Sequence, residues 1–355
     1  MRLARLRGFS AARAPPAAAA PPRRRAAAAA PAAADAGRLS EEYTATMTAA
    51  MGAVLTYRHD AGTNFTRVAD GLIVGSCLQT PADVDRVAAD EGVRTVLNLQ
   101  EASDCEYFSL DTAPVAARAA ERGVAHLRHA VRDFDPHSLR RRLPGAVALL
   151  ARTVEKQGGA AYVHCTAGLG RAPAVALAYL WWVRSVPLDE AHAALTAARP
   201  CSPKLAAIRE AAVDLLYAPP APTRVTLALA RRGAAARVEV AGLDVGWGRR
   251  LPLEPLSARS TGRLAVSREL PPGAYQYKFV FDGALWAVSP EHPTVVDGDA
   301  VNNVVVVPDA EDGREAAAAR ARLRAPGGLA TPAELGALRA RLAALAPCAD
   351  ETAAP

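Results

Sequence analysis

Cysteine is scarce in this chain: five in 355 residues, at 77, 105, 165, 201 and 348, with no C-x-x-C pair and no zinc spacing. A disulfide scaffold and a zinc module are therefore excluded, and a reducing compartment is implied, with at most one regulatory disulfide. Long apolar runs are missing too, none approaching the roughly eighteen residues a membrane-spanning helix needs. Acid is absent from the first 34 residues, which hold seven arginines; the formal +6 less those seven is −1 for everything after them. Nucleic-acid binding argued from overall basicity loses its footing. Aromatic residues make up only 5% of the chain, so the places where two or three gather carry information.

What is present begins with an Ala- and Pro-rich leader carrying scattered Arg, too polar for a signal-peptide core and too unpatterned to fold. Residues 1–45 read as an organelle transit peptide, although serine is unusually sparse in them. Residues 40–51 have helical composition and read as a linker or peripheral helix with no chemistry. A chain of 355 residues, 51% apolar, leads us to expect two folded domains. From residue 64 onward strands at 72–76, 93–99, 124–131 and 160–164 alternate with helices at 83–89 and 143–156, followed by helices at 174–181, 188–198 and 204–216. That alternation predicts an α/β sheet covered on both faces.

The stretch Tyr162-Val163-His164-Cys165-Thr166-Ala167-Gly168-Leu169-Gly170-Arg171-Ala172-Pro173 sits where the last of those strands hands over to a helix. Backbone N–H groups at a helix N-terminus favour an anion, and the same field favours a thiolate at Cys165, with His164 and Arg171 pushing the same way. Gly168 and Gly170 let the loop curl round oxygen atoms, and the planar fork of Arg171 suits two of them. Thr166, Ala167 and Leu169 supply the rest of the loop. The constellation predicts a cysteine nucleophile beside a dianion site. The transfer leaves an alkoxide that needs a proton, and Asp133 in Val131-Arg132-Asp133-Phe134-Asp135 is the candidate donor, with Asp135 its rival.

The string from His164 to Leu177 resembles the cysteine-dependent protein tyrosine phosphatases, and within them the starch-excess phosphoglucan phosphatases of plants and algae, relatives of laforin. The resemblance implies a protein tyrosine phosphatase-like α/β domain over 55–218, with Asp133 as the acid in Arg-Asp-Phe-Asp. Phe65, Tyr107, Phe108 and Phe134 match aromatic positions of that branch, where sugar faces can stack. Two departures stand out. Some members carry a partner cysteine where this chain has Asn98, and many have Ser or Thr where it has Ala172.

After Ala218-Pro219-Pro220-Ala221-Pro222 the periodicity changes to alternation. Strands at 224–230, 236–241, 263–270, 274–281, 285–288 and 303–307 between Gly, Pro and Asp-Gly turns predict an all-β sandwich over 222–308. Tyr275, Tyr277, Phe279 and Phe281 share one face as core, which turns Lys278 outward. Gly242 to Gly248, Leu270-Pro271-Pro272-Gly273, Asp282-Gly283 before Trp286, and Asn302-Asn303 resemble the family-48 carbohydrate-binding module, an immunoglobulin-like sandwich. Trp247 and Trp286 then match stacking tryptophans, with Lys278 and Asn303 as polar partners; Trp247, between two glycines, is expected to be exposed. Residues 309–355 are expected to form a helical tail, and the resemblance to the starch-excess proteins implies that its 332–345 helix packs back on the phosphatase domain.

The expectation for function is a plastidial phosphoglucan phosphatase acting as a monomer on phosphorylated starch, amylopectin or maltodextrin. It needs no cofactor or metal and involves no nucleic acid or membrane. Its rivals are a protein dual-specificity phosphatase tethered to starch and a non-catalytic glucan-binding scaffold.

Overall fold

A computed structural model describes residues 32–51, 55–217, 222–230, 237–256, 262–297, 300–308 and 314–345. The leader before residue 32, the Pro-rich link at 218–221 and Cys348 lie outside the described residues.

Five strands build the first sheet: β1 (Phe65–Ala69), β2 (Leu72–Gly75), β3 (Val93–Asn98), β4 (Ala125–Arg128) and β5 (Ala160–His164), in the order β1-β2-β5-β3-β4. β1 runs antiparallel to β2; the other pairings are parallel. β5 lies at the centre and is buried at every position, which is why it reads as an uninterrupted apolar run. Its period of two splits the core: Ala161 and Val163 face one cluster, Ala160 and Tyr162 the other.

The helices are α1 (Ala32–Met51), α2 (Pro81–Asp90), α3 (Ala102–Tyr107), α4 (Ala113–Glu121), α5 (Pro136–Gln157), α6 (Arg171–Trp182), α7 (Leu188–Ala198) and α8 (Leu205–Leu216). α2 and α4 cover one face of the sheet, and α5, α6, α7 and α8 the other. Trp181 and Trp182 are both core, 2% and 0% exposed. α3, α4 and β1 were not anticipated by the periodicity. The strand expected over 124–131 stops at Arg128, because the chain then leaves the sheet for the loop that carries Asp133. The helix expected from 143 begins at Pro136, where Asp135 caps it by accepting from the N–H groups of His137 and Ser138.

The second unit has a three-stranded sheet made of β6 (Thr223–Ala230), β9 (Glu254–Pro255) and β10 (Arg263–Leu270). It faces a larger sheet of β7 (Val238–Gly242), β8 (Gly246–Pro252), β11 (Gly273–Phe281), β12 (Leu285–Ala287), β13 (Thr294–Asp297) and β14 (Ala300–Val307). Tyr275, Tyr277 and Phe279 are buried between the sheets with Leu227, Val240 and Leu270, and Phe281 closes the rim half-buried. β8, β9 and β13 are additions to the expected set.

The tail forms α9 (Arg314–Arg324) and α10 (Pro332–Ala344). Leu323, Leu338 and Leu342 are buried in the same core as α5, α6 and α8, and Tyr217 Oη donates to Glu334 Oε1 at 2.7 Å. α1 corrects the expectation at the other end. Its side chains dock on the loop after β5, with Met47 fully buried against Leu55, Tyr57, Phe108, Ala167 and Leu169, so Leu39, Ser40 and Tyr43, inside the stretch expected to be leader, pack as part of the first domain. Thr44 Oγ1 and Ser40 Oγ bond the backbone of Tyr57 and His59, which pins the helix.

Leu338→Ala therefore should lower the stability of the phosphatase domain by about 2–5 kcal/mol, the usual range for deleting a fully buried leucine. Chemical denaturation checks it; a loss below about 0.5 kcal/mol would mean the tail is not part of this core.

Candidate active site

β5 ends at His164, Cys165 follows, and the chain curls through Gly170 before α6 begins at Arg171. The carbonyls of this loop are all engaged on its outer side. Cys77 N donates to Thr166 O at 2.9 Å and Ser202 N to Leu169 O at 2.8 Å. Arg199 donates to Gly168 O at 2.9 Å and to Ala167 O at 3.1 Å. Because each trans peptide sets the next N–H opposite its C=O, this turns the N–H groups of residues 167–170 inward. Gly168 N donates to Cys165 Sγ at 3.3 Å. Gly168 has φ +71°, and a Cβ there would lie 2.3 Å from Gly75 O, so the curl needs glycine.

Arg171, 3% exposed, reaches back over the loop. Its Nη1 donates to Asp104 Oδ2 at 2.6 Å and Val131 O at 2.9 Å; Nη2 donates to Thr166 Oγ1 at 3.2 Å and pairs with Asp133 Oδ2 at 2.8 Å. Its Nε is buried with no partner among the described residues, a donor free for an oxyanion. Phe134 sits in the left-handed region at φ +55°, and the two acids flanking it go separate ways. Asp133 faces Arg171, while the Asp135 side chain caps α5. Burial pushes the Asp133 carboxyl above the ordinary carboxylate range, against the pull of Arg171 and of the Tyr43 hydroxyl.

His164 does not add positive charge here. Its imidazole is buried, with Nδ1 donating to Cys165 O at 3.1 Å, and burial pushes its pKa down to about 3. The field on the sulfur comes from the loop amides, Arg171 and Arg199.

Above the loop lies a pocket of about 330 Å³. Tyr107, Phe108 and Phe134 line it as expected from their positions; Tyr43, Asp104 and Arg132 line it as well. Phe65 does not: it lies on β1 against Tyr162, at 5.8 Å between ring centroids, under the guanidinium of Arg86. It is packing, and is withdrawn as a sugar contact.

On the module, Trp247 and Trp286 stand with ring centroids 6.4 Å apart, and Arg250 lies 5.3 Å over the Trp286 ring. Trp286 is 41% exposed and Lys278 is half-buried. Trp247 is half-buried rather than free, and its flanking glycines have another cause: a Cβ on Gly246 would fall 2.1 Å from Asp135 Oδ2, and one on Gly248 3.2 Å from Arg132 Nη1. The module touches the Asp133 loop there. Asn303 is not at this surface. It is fully buried, Oδ1 accepting from Ser289 N at 2.8 Å and Nδ2 donating to Ser289 O at 2.9 Å, so it braces the turn before β13. Its neighbour Asn302 instead joins Gln276, which reaches Asp297, and Asp297 pairs with Lys204 of the phosphatase domain at 2.8 Å.

Comparison with known proteins matches residues 80–210 to the catalytic domain of dual specificity phosphatases and residues 225–312 to the glycogen recognition site of AMP-activated protein kinase. The amyloplastic phosphoglucan phosphatase DSP4 of Castanea sativa is 45% identical over 272 residues, 76% of this chain and 71% of that protein. The chain belongs to the phosphoglucan phosphatase family. Another phosphoglucan phosphatase, chloroplastic LSF1 of Arabidopsis thaliana, is 29% identical over 279 residues, 76% of this chain and 46% of its own length. The chloroplastic protein PTST of the same plant is 40% identical over 75 residues, 21% of this chain and 27% of its own.

Within this phosphoglucan phosphatase, Asn98 stands opposite His164 in the sheet and its Oδ1 accepts from Gln100 N at 2.8 Å, so no thiol is available at that place. Cys77 and Cys201 are pushed up by burial to about 12 and about 11 and stay protonated at neutral pH. Sequence reasoning missed Tyr43, Asp104 and Arg199; only Tyr43 gave a signal, as an aromatic in a chain that has few.

His164 sets a pH dependence. It is neutral in the fold at a pH where the unfolded imidazole, near 6.5, takes a proton, so its contribution is complete above pH 6.5 and is lost as pH falls toward about 3. Between those limits stability should drop by up to about 1.4 kcal/mol per pH unit on its account. Melting temperature against pH, with His164→Asn as the non-titrating comparison, reads it; equal slopes would exclude the effect.

Proposed function

We propose that this chain is a plastidial cysteine-dependent phosphatase that removes phosphate monoesters from glucosyl units of starch. The observation that carries the reading is that the charges of Cys165, Arg171 and Asp133 all act on Tyr43, beside an aromatic pocket lined by Asp133 and Thr166 whose acid loop is in contact with the glucan module. Cys165 attacks phosphorus, forming the S–P bond as the bond to the sugar oxygen breaks, and Asp133 gives that oxygen its proton. The inward amides and Arg171 hold the equatorial oxygens, with Arg171 Nε taking one of them. A phosphate dianion beside Asp133 adds negative charge to a buried carboxyl already above its usual range, and so favours the protonated acid. Water then attacks the phosphocysteine; its proton returns to Asp133 and the S–P bond breaks.

Tyr107 and Phe134 offer faces to the glucosyl ring, while Phe108, buried and stacked on His59 at 4.4 Å, backs them from below and is withdrawn as a sugar contact, and Trp247, Trp286 and Lys278 hold the glucan chain on the module. The relatives carry plastid names, amyloplastic and chloroplastic, and the Arg-rich leader fits the same compartment.

Cys165→Ser should abolish phosphate release from phosphorylated amylopectin, and any residual turnover above background would refute the mechanism. Trp286→Ala should lower the amylopectin rate about tenfold relative to the rate on 4-nitrophenyl phosphate, the loss of one stacking platform. If phosphopeptides were turned over faster than phosphoglucan and Trp286→Ala left the ratio unchanged, a protein phosphatase tethered to starch would be the better reading.

A further inference from the structure

α1 delivers a tyrosine to the candidate acid. Tyr43 Oη donates to Asp133 Oδ2 at 2.6 Å, while the other oxygen, Oδ1, accepts from Phe134 N at 3.1 Å. One donor on each oxygen fixes the plane of the carboxyl group. Tyr43 is itself immobilised: its ring lies 5.6–6.3 Å from those of Tyr57, Phe108, Phe134 and Tyr107, and its helix is pinned through Ser40, Thr44 and Met47. The third partner of Asp133 is Arg171, which must turn its fork to the substrate's phosphate.

We infer that Tyr43 is a positioning residue for the general acid, holding the Asp133 carboxyl on the leaving oxygen once Arg171 has been taken by phosphate. This deepens the proposed function and rests on Asp133 being the acid. Tyr43 transfers no proton. Burial and the charge of Asp133 push its phenol well above the ordinary value, so it stays a donor throughout the working range. A donor to a carboxylate also favours the ionised form, which works against an acid; the gain is geometric, since misplacing a catalytic group by an ångström costs on the order of a hundredfold.

The test is leaving-group dependence in the full chain. Substituted phenyl phosphates of similar size, from 4-nitrophenyl to unsubstituted phenyl, differ in how much their departing oxygen needs a proton. None of them carries a sugar, so a lost glucan contact cannot imitate the effect. Tyr43→Phe keeps the ring and removes only the hydroxyl. Expected is a fall of about tenfold in kcat on phenyl phosphate relative to 4-nitrophenyl phosphate, against a nearly flat wild-type series. Asp133→Asn should show the same tilt more strongly, and Tyr43→Phe added to it should tilt the series no further. A flat series for Tyr43→Phe beside a tilted one for Asp133→Asn, equal losses on all substrates, or additive tilts would overturn the inference alone. A flat series for Asp133→Asn would remove Asp133 as the acid and with it the reading beneath.

Discussion

The buried guanidinium of Arg171 is the constraint on which this site is built. A cation 3% exposed must be matched by charge and hydrogen bonds, because an unpaired buried partner costs about 3–5 kcal/mol. Asp104 from α3, and Asp133 with the Val131 carbonyl from the loop after β4, provide that match from two separate parts of the chain. Satisfying Arg171 therefore draws α3 and the acid loop over the sulfur. Asp104 is tied down in turn, since its Oδ2 also accepts from Glu101 N at the start of α3. The arrangement is a buried guanidinium flanked by two carboxylates, over the loop that holds the sulfur.

The second constraint acts on the loop itself. Its carbonyls are drawn outward by Arg199 and by the N–H groups of Cys77 and Ser202, and the inward amides follow from peptide planarity. Arg199 comes from the end of α7 and also donates to Asn64 at 2.6 Å, so a residue distant in sequence sets the shape of the cradle without touching what it binds. Such an arrangement pre-orients the donors before the reaction, which is the effective form of electrostatic stabilisation.

How much of this was legible in the sequence follows from what kind of interaction each part uses. The cradle is local: strand, Cys165, two glycines and Arg171 lie on one short run, and period-two and period-three-to-four patterns frame it. β11 was legible for the same reason, its aromatics alternating within nine residues. Tyr43, Asp104 and Arg199 were not, because they act through contacts across the fold, such as Tyr43 on Asp133 at a separation of 90 residues. Asn303 and Phe65 were misplaced in the opposite sense: the resemblance put both among glucan contacts, whereas Asn303 is buried bracing a turn and Phe65 is half-buried against Tyr162. The glycines around Trp247 suggested an exposed ring, whereas the missing Cβ atoms make room for Asp135 and Arg132.

That last contact gives the two domains a fixed relation. β8 abuts the acid loop at Gly246 and Gly248, and Lys204, which lines the same catalytic surface as Arg171, pairs with Asp297 of the module. Trp247 thus stands beside the loop that carries Asp133, and the distance from the tryptophan pair to the sulfur is set by packing. A glucan held by the module is then presented at a defined offset, and its effective concentration at Cys165 depends on whether that offset matches the spacing of phosphorylated glucosyl units along the chain. A loosely tethered module would raise local concentration for any phosphate on the granule. A docked one holds its tryptophan pair at a single offset from that loop.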